Sequence, residues 1–190
     1  MEYTETHATT AMIKAMAHPL RRRILAVFPR RDYVRAADLA AEFDEPANKI
    51  SFHLRVLADA GLLVEAPEHA RDRRDRVWAQ KRLAVNFGDK EHPLEEPALG
   101  GVLFQTMLDE HLAIVRRVAS WVPDYLADPV GVGEHGTFSR TRVKLSSEQY
   151  TALLAAIQRV IREAQDAASV APDPDARVVE LDIVAADETI

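Results

Sequence analysis

The sequence predicts an α+β fold, and three observations carry that expectation. Apolar residues recur at helical spacing in short runs through residues 12–59. Two apolar, β-prone runs with a charged segment between them follow at 62–79, the pattern of a hairpin. Beyond a proline-bearing stretch, a long apolar stripe at 98–122 precedes an alternating segment, a capped helix and a second alternating segment. With 190 residues, 47% hydrophobic and 28% charged, the chain has enough apolar side chain for a core and ordinary globular composition.

Taken in order, Met12 to Ala17 reads as a short helix. Pro19 suits the first turn of a second helix, where its missing N–H is no loss. Leu20, Ile24, Leu25 and Phe28 continue it, and Pro29 ends it. Ala36 to Phe43 forms another, with Leu39, Ala40 and Phe43 on one side. Asp44-Glu45-Pro46 is turn chemistry, since proline disfavours helical geometry at the residue before it. In the next helix Ile50, Leu54 and Leu57 fall at i, i+4, i+7, and Gly61 is placed as a left-handed cap. Leu62-Leu63-Val64 and Val77-Trp78-Ala79 then make the hairpin, whose tip runs through Glu68 to Asp75. Residues 1–82 are thereby one domain, 83–97 with Pro93 and Pro97 a linker, and 98–190 a second region. In that region Leu99, Leu103, Met107, Ile114, Val115 and Val118 mark a helix of six or seven turns. Thr137 to Leu145 alternates, Ser146 with Gln149 forms a capping box for a helix striped by Tyr150, Leu153, Ile157 and Val160, and Val178 to Ala185 alternates again. The tail is expected to be strand–helix–strand.

The net charge of −6 conceals an asymmetry. Residues 1–82 hold 15 Lys and Arg against 12 Asp and Glu, and the remainder holds 9 against 18. What matters for a polyanionic partner is where cations sit, so the average excludes nothing. The chain has no cysteine, which removes disulfides, thiolate metal sites and cysteine nucleophiles. No apolar run approaches the roughly 18 residues of a membrane span, and no signal-peptide order opens the chain. A cytoplasmic protein without a membrane partner is expected. Neither a phosphate-binding glycine loop nor a nucleophile elbow is present, so no enzyme is expected.

Short helix, tight turn, second helix, glycine cap and hairpin, in that order, make a helix-turn-helix with a wing. Such a second helix lies in the major groove of double-stranded DNA with its first turns against base edges. Asn48, Lys49, Ser51, Phe52, His53 and Arg55 occupy those turns, offering donors, acceptors and an apolar contact. Arg71, Arg73, Arg74 and Arg76 lie at the wing, within reach of backbone or minor groove. Arg21, Arg22 and Arg23 fall on three faces of one helix, so at most two can meet phosphate.

Three blocks carry a family resemblance: Ala17-His-Pro-Leu-Arg-Arg-Arg-Ile-Leu25, Ala37-Asp-Leu-Ala40, and Ser51-Phe-His-Leu-Arg-Val-Leu-Ala-Asp-Ala-Gly-Leu62. In order and spacing they resemble the ArsR-type winged-helix repressors. The resemblance implies a homodimer in which each recognition helix reads half of a palindromic operator, with Ser51 and His53 among the contact residues. It also implies that the long helix at 98–122 is a dimerisation helix. The tail, with Val143-Lys-Leu-Ser-Ser-Glu-Gln149 opening its helix, is similar to a C-terminal extension of some actinobacterial members. The family's cysteine metal site is missing. Of its second metal site only Asp109 and His111 match, with Val122 and Tyr125 where the other pair would fall, so neither metal nor other cofactor is expected. The expected function is transcriptional repression. A small-molecule effector bound by the C-terminal region, and a winged helix that meets another protein, are the alternatives.

Overall fold

Local chemistry fixes where most elements begin and end in the computed structural model, which describes residues 4–72, 74–88, 91–171, 173 and 175–187. In chain order they are β1 (Thr4–His7), α1 (Thr10–Met16), α2 (Pro19–Leu25), β2 (Tyr33–Arg35), α3 (Ala36–Phe43), α4 (Ala47–Asp59), β3 (Leu63–Glu65), β4 (Val77–Gln80), β5 (Leu83–Asn86), α5 (Pro97–Ala127), α6 (Pro129–Val132) and α7 (Ser147–Val170). The α+β expectation holds. Thr9 opens α1 by accepting the Met12 N–H, and the His18 imidazole opens α2 by accepting the Leu20 N–H at 3.2 Å, with Pro19 in the first turn. Asp44 ends α3 in the left-handed region at φ 54°, and Pro46 starts α4 three residues after α3 ends.

The chain divides into two compact units, Met1–Ala113 and Ile114–Ile190. In the first, α4 buries Ile50, Leu54 and Leu57 against α2 and α3, together with Ile24 and Leu39, all at 0% exposure. Alpha-helical packing continues into a three-stranded antiparallel sheet ordered β2-β4-β3, with Val64 opposite Ala79 and Val34 opposite Trp78. The hairpin expected from the sequence is therefore present, joined by a third strand that a three-residue run could not announce. A second unannounced pairing is parallel, β1 with β5, so residues 83–86 of the expected linker are strand.

Gly61 closes α4 as its position predicts. It sits at φ +79°, its N–H bonds the Ala58 carbonyl, and the Leu62 N–H bonds the Leu57 carbonyl at 3.0 Å. That double closure, with Leu57 and Leu62 both buried, is a Schellman motif, and it turns the chain directly into β3.

In the second unit Ser146 and Gln149 form the expected capping box, with both reciprocal hydrogen bonds, at the start of α7. Trp121 stacks on Tyr125, and Gly136 lies against Val118 and Trp121. The strands expected on either side of α7, at 137–145 and 178–185, do not form: among the described residues no strand follows β5. Alternation creates a face, but a strand also needs a neighbour to take its N–H and C=O groups, and neither segment has one here. No helix of the described residues is long and apolar enough to cross a membrane.

Candidate nucleic-acid interface

The helix α4 divides its side chains by period. Ile50, His53, Leu54 and Leu57 are buried on one side, while Asn48, Phe52 and Arg55, at i, i+4, i+7, are exposed on the other. Lys49 and the half-buried Ser51 flank that exposed stripe. Phe52 is 54% exposed, unusual for a phenyl ring without a covering partner. Lys49 is held by Glu45 one turn before it, at 2.8 Å, and the Arg55 Nε reaches back to the Ser51 carbonyl. Pro46, at the N-cap of α4, makes no side-chain hydrogen bond, while the Asn48 Oδ1 accepts the Lys49 N–H at 2.9 Å.

His53, expected from the sequence among the DNA contacts, does not share that exposed surface. Its side chain is 5% exposed, with its ring 4.6 Å from that of His18 and edge-on to Phe52. The helical period carried the signal: His53 lies next to the Leu57 direction, at the edge of the apolar side. Burial lowers the pKa of His53, and the neighbouring His18, Arg21 and Lys49 lower it further against a smaller opposing effect of Glu45. Burial lowers that of His18 too.

After the Gly61 cap, β3 and β4 carry the wing. Its loop is tied down by carboxylates that the sequence shows only as interleaved charge. The Asp75 carboxylate accepts the Arg71 N–H at 3.0 Å and the Arg35 Nε–H at 2.9 Å, and the same Arg35 donates to the His69 carbonyl. Asp72 accepts the N–H groups of Arg74 and Asp75, closing a tight turn. Tyr33 packs on His69 with ring centroids 3.7 Å apart. The backbone hydrogen bond from Arg71, then the bond from Arg35, hold the Asp75 pKa below the ordinary carboxylate range. The Arg35–Asp75 pair thus supports the loop in a way missed in the sequence, since its members lie forty residues apart. Arg71 and Arg74 project from this scaffold into solvent, and Arg76 is exposed but paired with Glu65 at 3.4 Å. Arg73 lies outside the described residues.

The arginine triplet of α2 is spent inside the fold. Arg21 donates to the carbonyls of Lys14 and Ala15, closing the end of α1. Arg22, its side chain 15% exposed, lies 3.0 Å from Glu110 of α5. Arg23 stacks on the Phe43 ring at 4.2 Å.

Among the described residues no group of three or more His, Asp or Glu side chains converges to hold a metal ion. The candidate surface consists of the α4 stripe and the wing arginines, joined in sequence by the Schellman turn. No curated protein matches the chain. A family model described as a helix-turn-helix domain matches residues 16–66, the segment from the end of α1 through β3, so the chain contains a helix-turn-helix domain of the kind found in DNA-binding regulators.

Proposed function

We propose that the protein is a sequence-specific transcriptional regulator of the ArsR type, which binds a palindromic operator as a homodimer and represses by occupying it. One observation carries the reading: α4 presents Asn48, Phe52 and Arg55 outward, opposite its buried stripe, immediately before a wing bearing Arg71 and Arg74. Asn48, Lys49 and Ser51 supply hydrogen-bonding groups for base edges, Phe52 an apolar contact suited to a thymine methyl, and the positive end of the α4 dipole favours phosphate. Arg71 and Arg74 engage backbone or minor groove, and their contribution does not depend on sequence.

Pairing through α5 fits the same reading. Val102, Phe104, Met107, Leu108 and Leu112 are exposed on a helix whose Leu103 is buried, and Phe104 is 63% exposed. Apolar side chains in that number on one helix mark an association surface. The Arg22–Glu110 pair connects that helix to α2.

Selection of bound sites from random double-stranded DNA tests the proposal. A palindrome with half-sites about one helical turn apart is expected of a two-fold dimer. Recovery of no sequence, or binding whose affinity ignores salt, overturns it.

A further inference from the structure

We propose that the close pair His18–His53, which seats the recognition helix α4 on α2, is a proton-operated latch that releases DNA when the surroundings acidify. The proposal rests on the DNA-binding reading above, and it assigns His53 to positioning rather than to base contact.

The geometry leaves the pair no comfortable way to accept a proton. His18 uses Nδ1 as an acceptor for the Leu20 N–H, so that nitrogen must stay unprotonated for α2 to keep its cap. A positive imidazole at this position also opposes the positive end of the α2 dipole. His53 is 5% exposed, and its Nδ1 is buried with no hydrogen-bond partner among the described residues. A proton there would be a buried charge lacking an acceptor. The rings lie 4.6 Å apart, so charging both sets like charges in contact.

The surroundings do not compensate. Arg21, on α2, and Lys49, on α4, add positive charge beside both rings, and Glu45, in the turn before α4, is the one opposing carboxylate that acts on His53. That carboxylate is already engaged by the Lys49 ammonium, through both oxygens at 2.8 and 2.9 Å. Burial and the neighbouring cations therefore favour the neutral form, against Glu45 at His53 and a backbone hydrogen bond at His18.

Both pKa values are lowered in the folded chain, so as the pH falls below about 6.5 the unfolded chain takes up protons that the folded chain refuses. Stability is full above that pH and is lost below it. The loss is local first, because the pair bridges α2 and α4 and the next side chain along α4 is Phe52, whose ring meets His53 edge-on. Loosening this seat displaces the outward stripe. A surface histidine at a DNA contact would do the reverse, since its protonation adds a cation next to phosphate. The pair thus predicts weakening where an ordinary contact predicts strengthening.

The test uses the full chain. Imidazole proton resonances of His18 and His53 are followed by NMR from about pH 8 to 5, and affinity for the selected operator is measured at about pH 7.5 and 5.5 with ionic strength constant. Titration of both rings below about 6.5 is expected, with affinity about tenfold weaker at the lower pH. In the double variant His18→Asn, His53→Leu, asparagine keeps a cap acceptor while neither residue titrates, and the affinity at the two values should agree within about twofold. Ring titration at or above 6.5, or wild-type affinity that rises on acidification, overturns the latch. If the double variant fails to fold, the wild-type resonances and pH profile decide alone. If no DNA is bound at any pH, the operator reading fails, while ring titration and the pH dependence of thermal unfolding still accept or reject the latch as a determinant of stability.

Discussion

Replacing Gly61 by alanine isolates what the backbone at the end of α4 contributes. The residue sits at φ +79°, where an L side chain costs roughly 1–2 kcal/mol because Cβ approaches the following carbonyl. Space is not the difficulty: a Cβ built there meets only the Met12 Cε, at 3.7 Å, which is ordinary contact. Alanine also narrows the unfolded ensemble, which offsets part of the loss by about 0.4–1 kcal/mol. The net expectation is a destabilisation of about 1 kcal/mol, read as a lower urea midpoint with unchanged m-value. Gly61→Asn should lose less, because asparagine tolerates the left-handed region. Since both carbonyls of the Schellman closure stay satisfied, operator affinity well below the melting temperature should be unaltered. A loss above about 3 kcal/mol would mean steric conflict that the geometry denies, and an asparagine variant no better than alanine would refute the role given to φ.

The wing, the stripe and the long helix make separate predictions. Arg71→Ala with Arg74→Ala should weaken binding to all DNA sequences alike and reduce the salt slope by about 0.9 for each phosphate no longer neutralised, measured by titration at several salt concentrations. Phe52→Ala should instead change which sequences are recovered from a random pool, with the salt slope unaltered; an unchanged consensus would remove Phe52 from readout. Because its folded pKa is depressed, Asp75 stabilises the wing above the unfolded carboxylate value of about 3.9, and that contribution disappears as the pH falls through the folded value. Asp75→Asn should accordingly raise amide exchange across residues 66–76 at neutral pH and abolish its acid dependence. Leu108→Glu should give a monomer by sedimentation and lose binding to a full palindrome, and a dimer that persists would move the interface off this face of α5.

Much of the first unit is legible because each element announces itself within a few residues. Pro19, Pro46 and Gly61 stand at helix boundaries for reasons of φ and missing donors, and Ile50, Leu54 and Leu57 write the buried face in their spacing. What stays hidden depends on residues distant in the chain. β1 pairs with β5 across nearly eighty residues, and the wing is tied to β2 through Arg35 and Asp75, forty apart. The tail fails differently. Residues 137–145 and 178–185 carry strand-like alternation, yet period alone cannot supply the neighbour that a ladder requires. The burial of His53 is legible in its own period, which sets it at the edge of the apolar side of α4.

Ion pairing within the fold decides which cations of residues 1–82 can act on DNA. Their excess of positive charge is small, and several of their cations are engaged internally. Lys14 pairs with Glu96, Arg22 with Glu110, Arg31 with Glu42, Arg35 with Asp75, Lys49 with Glu45 and Arg76 with Glu65. A cation already compensated by a carboxylate must exchange that partner for phosphate, and it releases fewer counterions on doing so. Arg55, Arg71 and Arg74 are exposed and form no ion pair among the described residues. One stands on the outward stripe of α4 and two on the wing that follows its glycine cap. A basic footprint too small to show in a net charge of −6 thus places three such cations along the surface that a groove-docked helix and its wing would present.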